Sequence, residues 1–356
     1  MNEKKIRVLV VDDSALFRAL VTETLATDPA LEVVGSAPDP VAAWAAIKTL
    51  RPDVITLDIE MPRMDGLTFL ELLMTNYPVP VVLVSSLAGR NAETTIRALE
   101  LGAVEVVQKP VADLRESYGA LARDLIGKVK VAATARPRKG TVRVPREAVT
   151  SGQLAPKFRT TNLVIAVGAS TGGTEALATF ISELPPETPG LVIVQHMPAR
   201  FTGSFAQRLD HVGAVRVREA KEGDRVLVGH ALLAPGGRHV RLRRDGAQYV
   251  VTIDDGDLVG GHRPSVDVLF HSCAKTAGRN AVGVIMTGMG ADGADGMKAM
   301  HDAGARTFAQ DEKTCVVFGM PREAIARGGV DSVLPLEKIA GAVIAAAGGD
   351  SRASQV

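Results

Sequence analysis

The sequence predicts two α/β domains in series, each a parallel sheet with helices on both faces, the second carrying an added β-hairpin. Three observations carry this reading. Short runs of branched apolar residues alternate with helix-like segments along most of the chain, as parallel sheets with covering helices require. The alternation lapses once, across a linker set at residues 126–158, where Arg136, Pro137, Arg138, Lys139, Gly140, Pro145 and Pro156 replace it. A length of 356 residues, with 46% hydrophobic and 23% charged, fits about two domains with real cores. A net charge of +1 and 4% aromatics give no general case for nucleic acid or an anionic membrane. Two cysteines, Cys273 and Cys315, cannot build a disulfide framework or a cysteine-rich zinc site, which points to a reduced, cytoplasmic setting. Ile6–Val11 is too short for a signal segment and no run is long enough to insert in a membrane.

In the first half, strands are predicted at Ile6–Val11, Leu31–Gly35, Asp53–Leu57, Val79–Val84 and Ala103–Gln108. Helices are predicted at Ser14–Thr27, Pro40–Leu50, Gly66–Asn76, Glu93–Leu101 and near Asp113–Val129. Right-handed crossovers bring all the strands' C-terminal ends to one edge, where open α/β sheets bind ligands. Asp12 and Asp13 follow the first strand, Asp58 the third, Ser85 and Ser86 end the fourth, and Lys109-Pro110 ends the fifth. Carboxylates converging there repel one another unless a hard cation such as Mg²⁺ sits among them. Lys109 adds a point charge for a phosphoryl group, and an ionised Asp58 beside Mg²⁺ can accept phosphate as an acyl phosphate. Any one of these aspartates alone reads as a surface carboxylate; their joint placement favours the pocket.

Val10-Val11-Asp12-Asp13-Ser14, Leu57-Asp58-Ile59-Glu60-Met61-Pro62, Val84-Ser85-Ser86 and Lys109-Pro110 resemble the motifs of a two-component receiver domain. The resemblance covers roughly residues 5–125. It implies a flavodoxin-like sheet and phosphorylation of Asp58 by a chemotaxis histidine kinase. Asp12 and Asp13 then form the acidic pocket. Asp13, Asp58 and the backbone carbonyl of Glu60 are the Mg²⁺ ligands, Ser85 is the switch hydroxyl, and Lys109 contacts the phosphate.

The second series begins at Leu163–Val167. Further strands are predicted at Leu191–Gln195, Val215–Glu219, Arg225–Val228, Ala231–Ala234, Ala281–Thr287 and near Thr307–Ala309. Arg238–Arg243 and Gln248–Ile253, joined across Asp245-Gly246, read as an antiparallel hairpin. Its arginines are most simply a solvated face. Gly168-Ala169-Ser170-Thr171-Gly172 fits G-x-S-x-G between a strand and the helix-like Thr174–Leu184. Small residues there permit a sharp turn that presents Ser170 Oγ beside helix N–H groups. A glycine-rich turn whose serine caps a helix is the plainer reading. A nucleophile needs a base, and His196 stands at the end of the next strand, on the same sheet edge; His262, in a loop, is the competitor. An orienting acid follows at a third strand end, Asp292, with Asp295 competing from a helix's first turn, where an acid is favoured anyway. Gly288–Gly293 also fits G-x-G-x-x-G, with Asp311 beyond it, so a dinucleotide site is a second reading, weakened by an aspartate inside the phosphate turn. No helix-turn-helix with a basic recognition helix is evident, which argues against a DNA-binding regulator.

Val167–Thr174, Gln195-His196-Met197-Pro198, His262–Phe270, Thr287–Gly293 and Phe318–Ala324 together resemble the CheB methylesterase domain, set at residues 159–348 with a tail at 349–356. The resemblance implies Ser170 as nucleophile, His196 as base and Asp292 as orienter, with the backbone N–H of Met289 in the oxyanion hole. Thr171, following the nucleophile, is expected to supply the other N–H. It further implies hydrolysis of glutamate methyl esters on chemoreceptors, releasing methanol, with deamidation of receptor glutamines. The esterase chemistry is expected to need no cofactor, and the protein to be recruited to membrane-bound receptor arrays. Two sites on one chain imply control: the unphosphorylated receiver is expected to restrict access to Ser170.

Overall fold

The computed structural model describes residues 4–61, 65–85, 92–109, 114–136 and 162–348. Ser86, Pro110, most of the linker and the tail fall outside these residues. The chain folds as two compact units.

In the first unit the strands are β1 (Ile6–Val11), β2 (Leu31–Ala37), β3 (Val54–Asp58), β4 (Val81–Ser85) and β5 (Glu105–Gln108). They lie in the order β2-β1-β3-β4-β5, every pair parallel. This is the flavodoxin-like order, whose switch point lies between β1 and β3. The helices are α1 (Ala15–Ala26), α2 (Pro40–Leu50), α3 (Gly66–Asn76), α4 (Ala92–Glu100) and α5 (Leu114–Thr134). Ser14, Asp39 and Asp65 cap α1, α2 and α3 by accepting from backbone N–H groups of their first turns. Strands β3 and β4 are buried at every position, as expected for central parallel strands. The expected domain boundary at residue 125 lies inside α5. Leu121, Leu125, Val129 and Ala132 recur at helical spacing and are all buried, so the helix continues to Thr134.

The second unit is built on a seven-stranded sheet in the order β14-β13-β12-β6-β7-β9-β8. Its strands are β6 (Val164–Ala169), β7 (Gly190–Gln195), β8 (Arg216–Glu219), β9 (His230–Leu233), β12 (Ala281–Ile285), β13 (Arg306–Gln310) and β14 (Ser332–Leu334). Every pairing is parallel. A separate antiparallel ribbon joins β10 (His239–Asp245) to β11 (Gln248–Asp254), as expected from the Asp245-Gly246 turn. The predicted strand at Arg225–Val228 does not form. That segment runs along β11 instead, with an isolated bridge from Arg225 to Val250 and Val226 N donating to Tyr249 O. The covering helices are α6 (Gly173–Ser182), α7 (Ala199–Val212), α8 (Val266–Thr276), α9 (Ala294–Asp302), α10 (Met320–Ala326) and α11 (Leu336–Gly348). Strand order reverses at the middle of the sheet: β6 leads to β7 on one side, and the later β12 pairs on β6's other side. A crevice at the C-terminal ends of these strands is where such sheets hold their ligands. Among the described residues no helix is long and apolar enough to cross a membrane.

Candidate functional site

Ser170 follows β6 directly, and its backbone N–H donates to Thr287 O at 3.0 Å. The chain then turns through Gly172, at φ +75°, into α6. Glycine bears that left-handed conformation without strain, and Gly173 N closes the turn onto Ser170 O at 2.7 Å. Arg51 is the non-glycine residue with positive φ among those described, so Ser170 itself holds ordinary backbone geometry. The tight packing falls on its neighbour: a Cβ on Gly168 would overlap the Val266 side chain of α8.

His196 follows β7, the adjacent strand, its N–H bonded to Ala169 O at 3.2 Å. Its Nδ1 lies 3.1 Å from Ser170 Oγ and its Nε2 2.7 Å from Asp292 Oδ2. Turning the ring over would present carbons to both partners, so only this orientation makes both bonds. The assignment follows: Nε2–H donates to the carboxylate and Nδ1 carries the lone pair toward the hydroxyl. In the usual serine-protease triad, Nε2 faces the serine instead.

Asp292 lies beyond β12, in the turn before α9. It accepts from four donors: His196 Nε2, Ser265 Oγ to Oδ1 at 2.7 Å, Val266 N to Oδ2 at 2.7 Å and Asp267 N to Oδ1 at 3.1 Å. Two of these are orphan N–H groups at the start of α8, where the helix dipole also favours a negative charge. Burial works against ionisation, but the bonds from His196, Ser265 and Val266 outweigh it and hold the pKa down at about 2. Asp292 is therefore a fixed anion at neutral pH. Its competitor Asp295 is exposed and pairs with Arg327 Nη1 at 2.6 Å. Histidine 262 does not reach Ser170 as a second base; its ring stacks on His196, centroids 3.9 Å apart and planes 8° from parallel. The dinucleotide reading loses its acid, since Asp311 Oδ1 accepts from Thr314 N at 2.9 Å and so caps its own turn.

Several supporting residues were not legible in sequence. Gln195, buried at the end of β7, donates from Nε2 to Ser170 O at 2.9 Å and His196 O at 3.2 Å. Thr287 Oγ1 donates to Thr171 O at 2.9 Å and accepts from Val316 N and Val317 N at 3.1 Å. It thereby ties the turn after Ser170 to the loop entering α10. His239 Nδ1 accepts from Ser265 N at 3.2 Å while its Nε2 faces Asp257 O at 2.8 Å. Polar residues closing apolar strands were the available signal for Gln195 and Thr287. For Ser265 the available signal was a serine directly before an apolar helical run with an acid, Asp267, in its first turn.

The first unit brings its predicted residues together at one edge. Lys109 Nζ lies 2.6 Å from Asp12 Oδ2 and 2.7 Å from Asp58 Oδ2. Burial opposes the Lys109 charge, but these two carboxylates raise its pKa. Burial raises that of Asp58, with Lys109 and the Glu60 N–H, 3.0 Å from Oδ1, pulling the other way. Carboxylate oxygens of Asp12, Asp13 and Asp58 lie within 4.8 Å of one another, an all-oxygen donor set suited to a hard divalent cation. Ser85 ends β4, buried, and its carbonyl accepts from Lys109 N at 2.9 Å. 

Residues 8–117 match the response regulator receiver domain and residues 165–343 match the CheB methylesterase domain. A protein-glutamate methylesterase/protein-glutamine glutaminase of Geobacter metallireducens is 55% identical over 342 residues, covering 94% of either chain. One of the same description from Nitrosomonas europaea is 54% identical, covering 96% of either chain. The crystal structure of the Thermotoga maritima CheB methylesterase catalytic domain superposes with a TM-score of 0.51 at 38% identity, over 51% of this chain and 97% of that one. With a receiver domain preceding a catalytic unit of matching sequence and fold, the chain belongs to the CheB methylesterase family.

Proposed function

We propose that the chain is a phosphorylation-regulated serine esterase that removes methyl groups from glutamate methyl esters on chemoreceptors, releasing methanol, and deamidates receptor glutamines. The observation that carries this reading is the continuous path Ser170 Oγ, His196 Nδ1, His196 Nε2, Asp292 Oδ2, with links of 3.1 and 2.7 Å. Ser170 Oγ attacks the ester carbonyl as His196 Nδ1 takes its proton. Asp292 stabilises the resulting imidazolium. The backbone N–H groups of Thr171 and Met289 hold the oxyanion. His196 returns the proton to the departing methoxide, and water resolves the acyl-enzyme by the same steps in reverse order. For a glutamine the leaving group is ammonia. The names of the Geobacter and Nitrosomonas relatives, which include both activities, support the substrate assignment.

The receiver runs from residue 5 through α5 and is joined by a linker to a catalytic domain at 159–348. Asp58 accepts phosphate from a chemotaxis histidine kinase. Asp13, Asp58 and the Glu60 carbonyl would hold Mg²⁺, with Asp12 completing the acidic pocket; when bound, the ion would neutralise charge on the phosphoryl oxygens. Lys109 contacts the phosphoryl group, and Ser85 supplies the hydroxyl that responds to it. The protein works in the cytoplasm, at membrane-bound receptor arrays.

The test is methanol release from methylated receptor fragments. Wild type is expected to release methanol and Ser170→Ala to fall to the uncatalysed background. Release by the Ser170→Ala chain at the wild-type rate would refute the assignment.

A further inference from the structure

His262 lies flat on the base, and nothing in the triad chemistry requires it to. Two hydrogen bonds at the ring edge fix where Nδ1 and Nε2 of His196 lie. They resist tilting of the ring out of its plane much less. The His262 ring, 3.9 Å away and 8° from parallel, supplies a surface against that tilt.

The loop that carries His262 is itself well held. His262 and Val259 exchange two backbone hydrogen bonds of 3.0 and 3.1 Å. Arg263 Nη1 donates to Asp255 O at 3.0 Å and Gly256 O at 2.9 Å, and Arg263 O accepts from Gly237 N at 3.0 Å. The chain then enters Ser265, Val266 and Asp267, the three residues that cradle Asp292. One short loop thus fixes both the acid at the edge of the base and a flat surface on its face.

We propose that His262 is a positioning residue for the esterase reaction, its ring holding His196 in the plane of its two hydrogen bonds while the proton moves. This rests on the reading of Ser170 as nucleophile. Burial, and repulsion from His196, push the His262 pKa down to about 4. The ring is accordingly neutral at working pH and presents an electron-rich face. Once His196 has taken the serine proton it becomes a cation lying on that face. The attraction is stronger in the transition state than in the ground state, so it favours turnover rather than substrate binding.

The test reads Ser170 reactivity directly, through the rate of labelling by a fluorophosphonate probe, alongside methanol release. In His262→Ala, labelling is expected to slow about tenfold or more, with kcat reduced and KM near wild type. His262→Phe restores a flat ring without nitrogens and is expected to stay within about threefold of wild type. His262→Leu fills similar space without a flat face and should behave like the alanine variant. The Phe and Leu pair decides the matter if His262→Ala does not fold, folding being followed by circular dichroism. Labelling of His262→Ala and His262→Leu at the wild-type rate overturns the proposal. So does a His262→Phe chain as slow as His262→Leu, because the ring nitrogens would then be what matters. A wild-type chain that takes up no label overturns the nucleophile reading itself and the proposal with it.

Discussion

Asp292 performs two tasks with one carboxylate. It orients His196 and it accepts N–H groups from the first turn of α8. Its folded pKa of about 2 lies below the roughly 3.9 of an unfolded aspartate. Its contribution to stability is therefore fully present above the unfolded value and is lost as pH falls through the folded one. By linkage this is worth roughly 2 kcal/mol. Urea unfolding at a series of pH values should show wild type losing stability between about pH 5 and pH 2, and Asp292→Asn losing roughly that much less over the same window. Identical pH slopes in the two proteins would show that the carboxylate is not held as described. At this scale the sequence was informative about the three reacting side chains, because Ser170 and His196 stand immediately beyond apolar strands and Asp292 stands in the turn between a third strand and its helix. It was silent on which imidazole nitrogen faces which partner, since that depends on ring orientation across neighbouring strands. It was equally silent on His239 and Ser265, whose roles arise from contacts 26 and 27 residues away.

At the scale of the element, α8 matters most to the site. Ser265 caps it by accepting from Val268 N at 3.4 Å and also donates to Asp292 Oδ1. Ser265→Ala should lower stability by about 1 kcal/mol in thermal unfolding, the usual cost of a lost N-cap. It should also slow fluorophosphonate labelling of Ser170 by a smaller factor than loss of Asp292 would, because Val266 N and Asp267 N still hold the acid. An unchanged labelling rate would mean that those two N–H groups suffice. Elements with long periodic patterns were legible in sequence: α2 and α3 have the ends that were expected. Short ones were not. β14 has three residues, too few for any period to show, and it pairs only because β13 offers an edge. Arg225–Val228 has the composition of a strand yet forms a single bridge, since β9 and β8 complete that side of the parallel sheet.

For the whole molecule, the sequence contains two chemistries that need each other only through regulation. The receiver's pocket gives a separable test. Methanol release with and without a small acyl-phosphate donor and Mg²⁺ should differ for wild type, while for Asp58→Asn the ratio of the two rates should be one. A persistent stimulation in that variant would mean that the phosphoryl group goes elsewhere. The catalytic unit also has a history written into its strand order. β6 is the first strand of its sheet to leave the ribosome, and β7 covers one of its edges soon after. The other edge waits for β12, and the Thr287 hydroxyl at the far end of that wait bonds to Thr171, 116 residues earlier. Until then a fully apolar strand presents an unpaired backbone edge, the feature most prone to pair with another chain. The exposure of this edge thus falls during synthesis, before β12 has been made. The nucleophile and the base can then already stand side by side, with the acid that completes them still unmade.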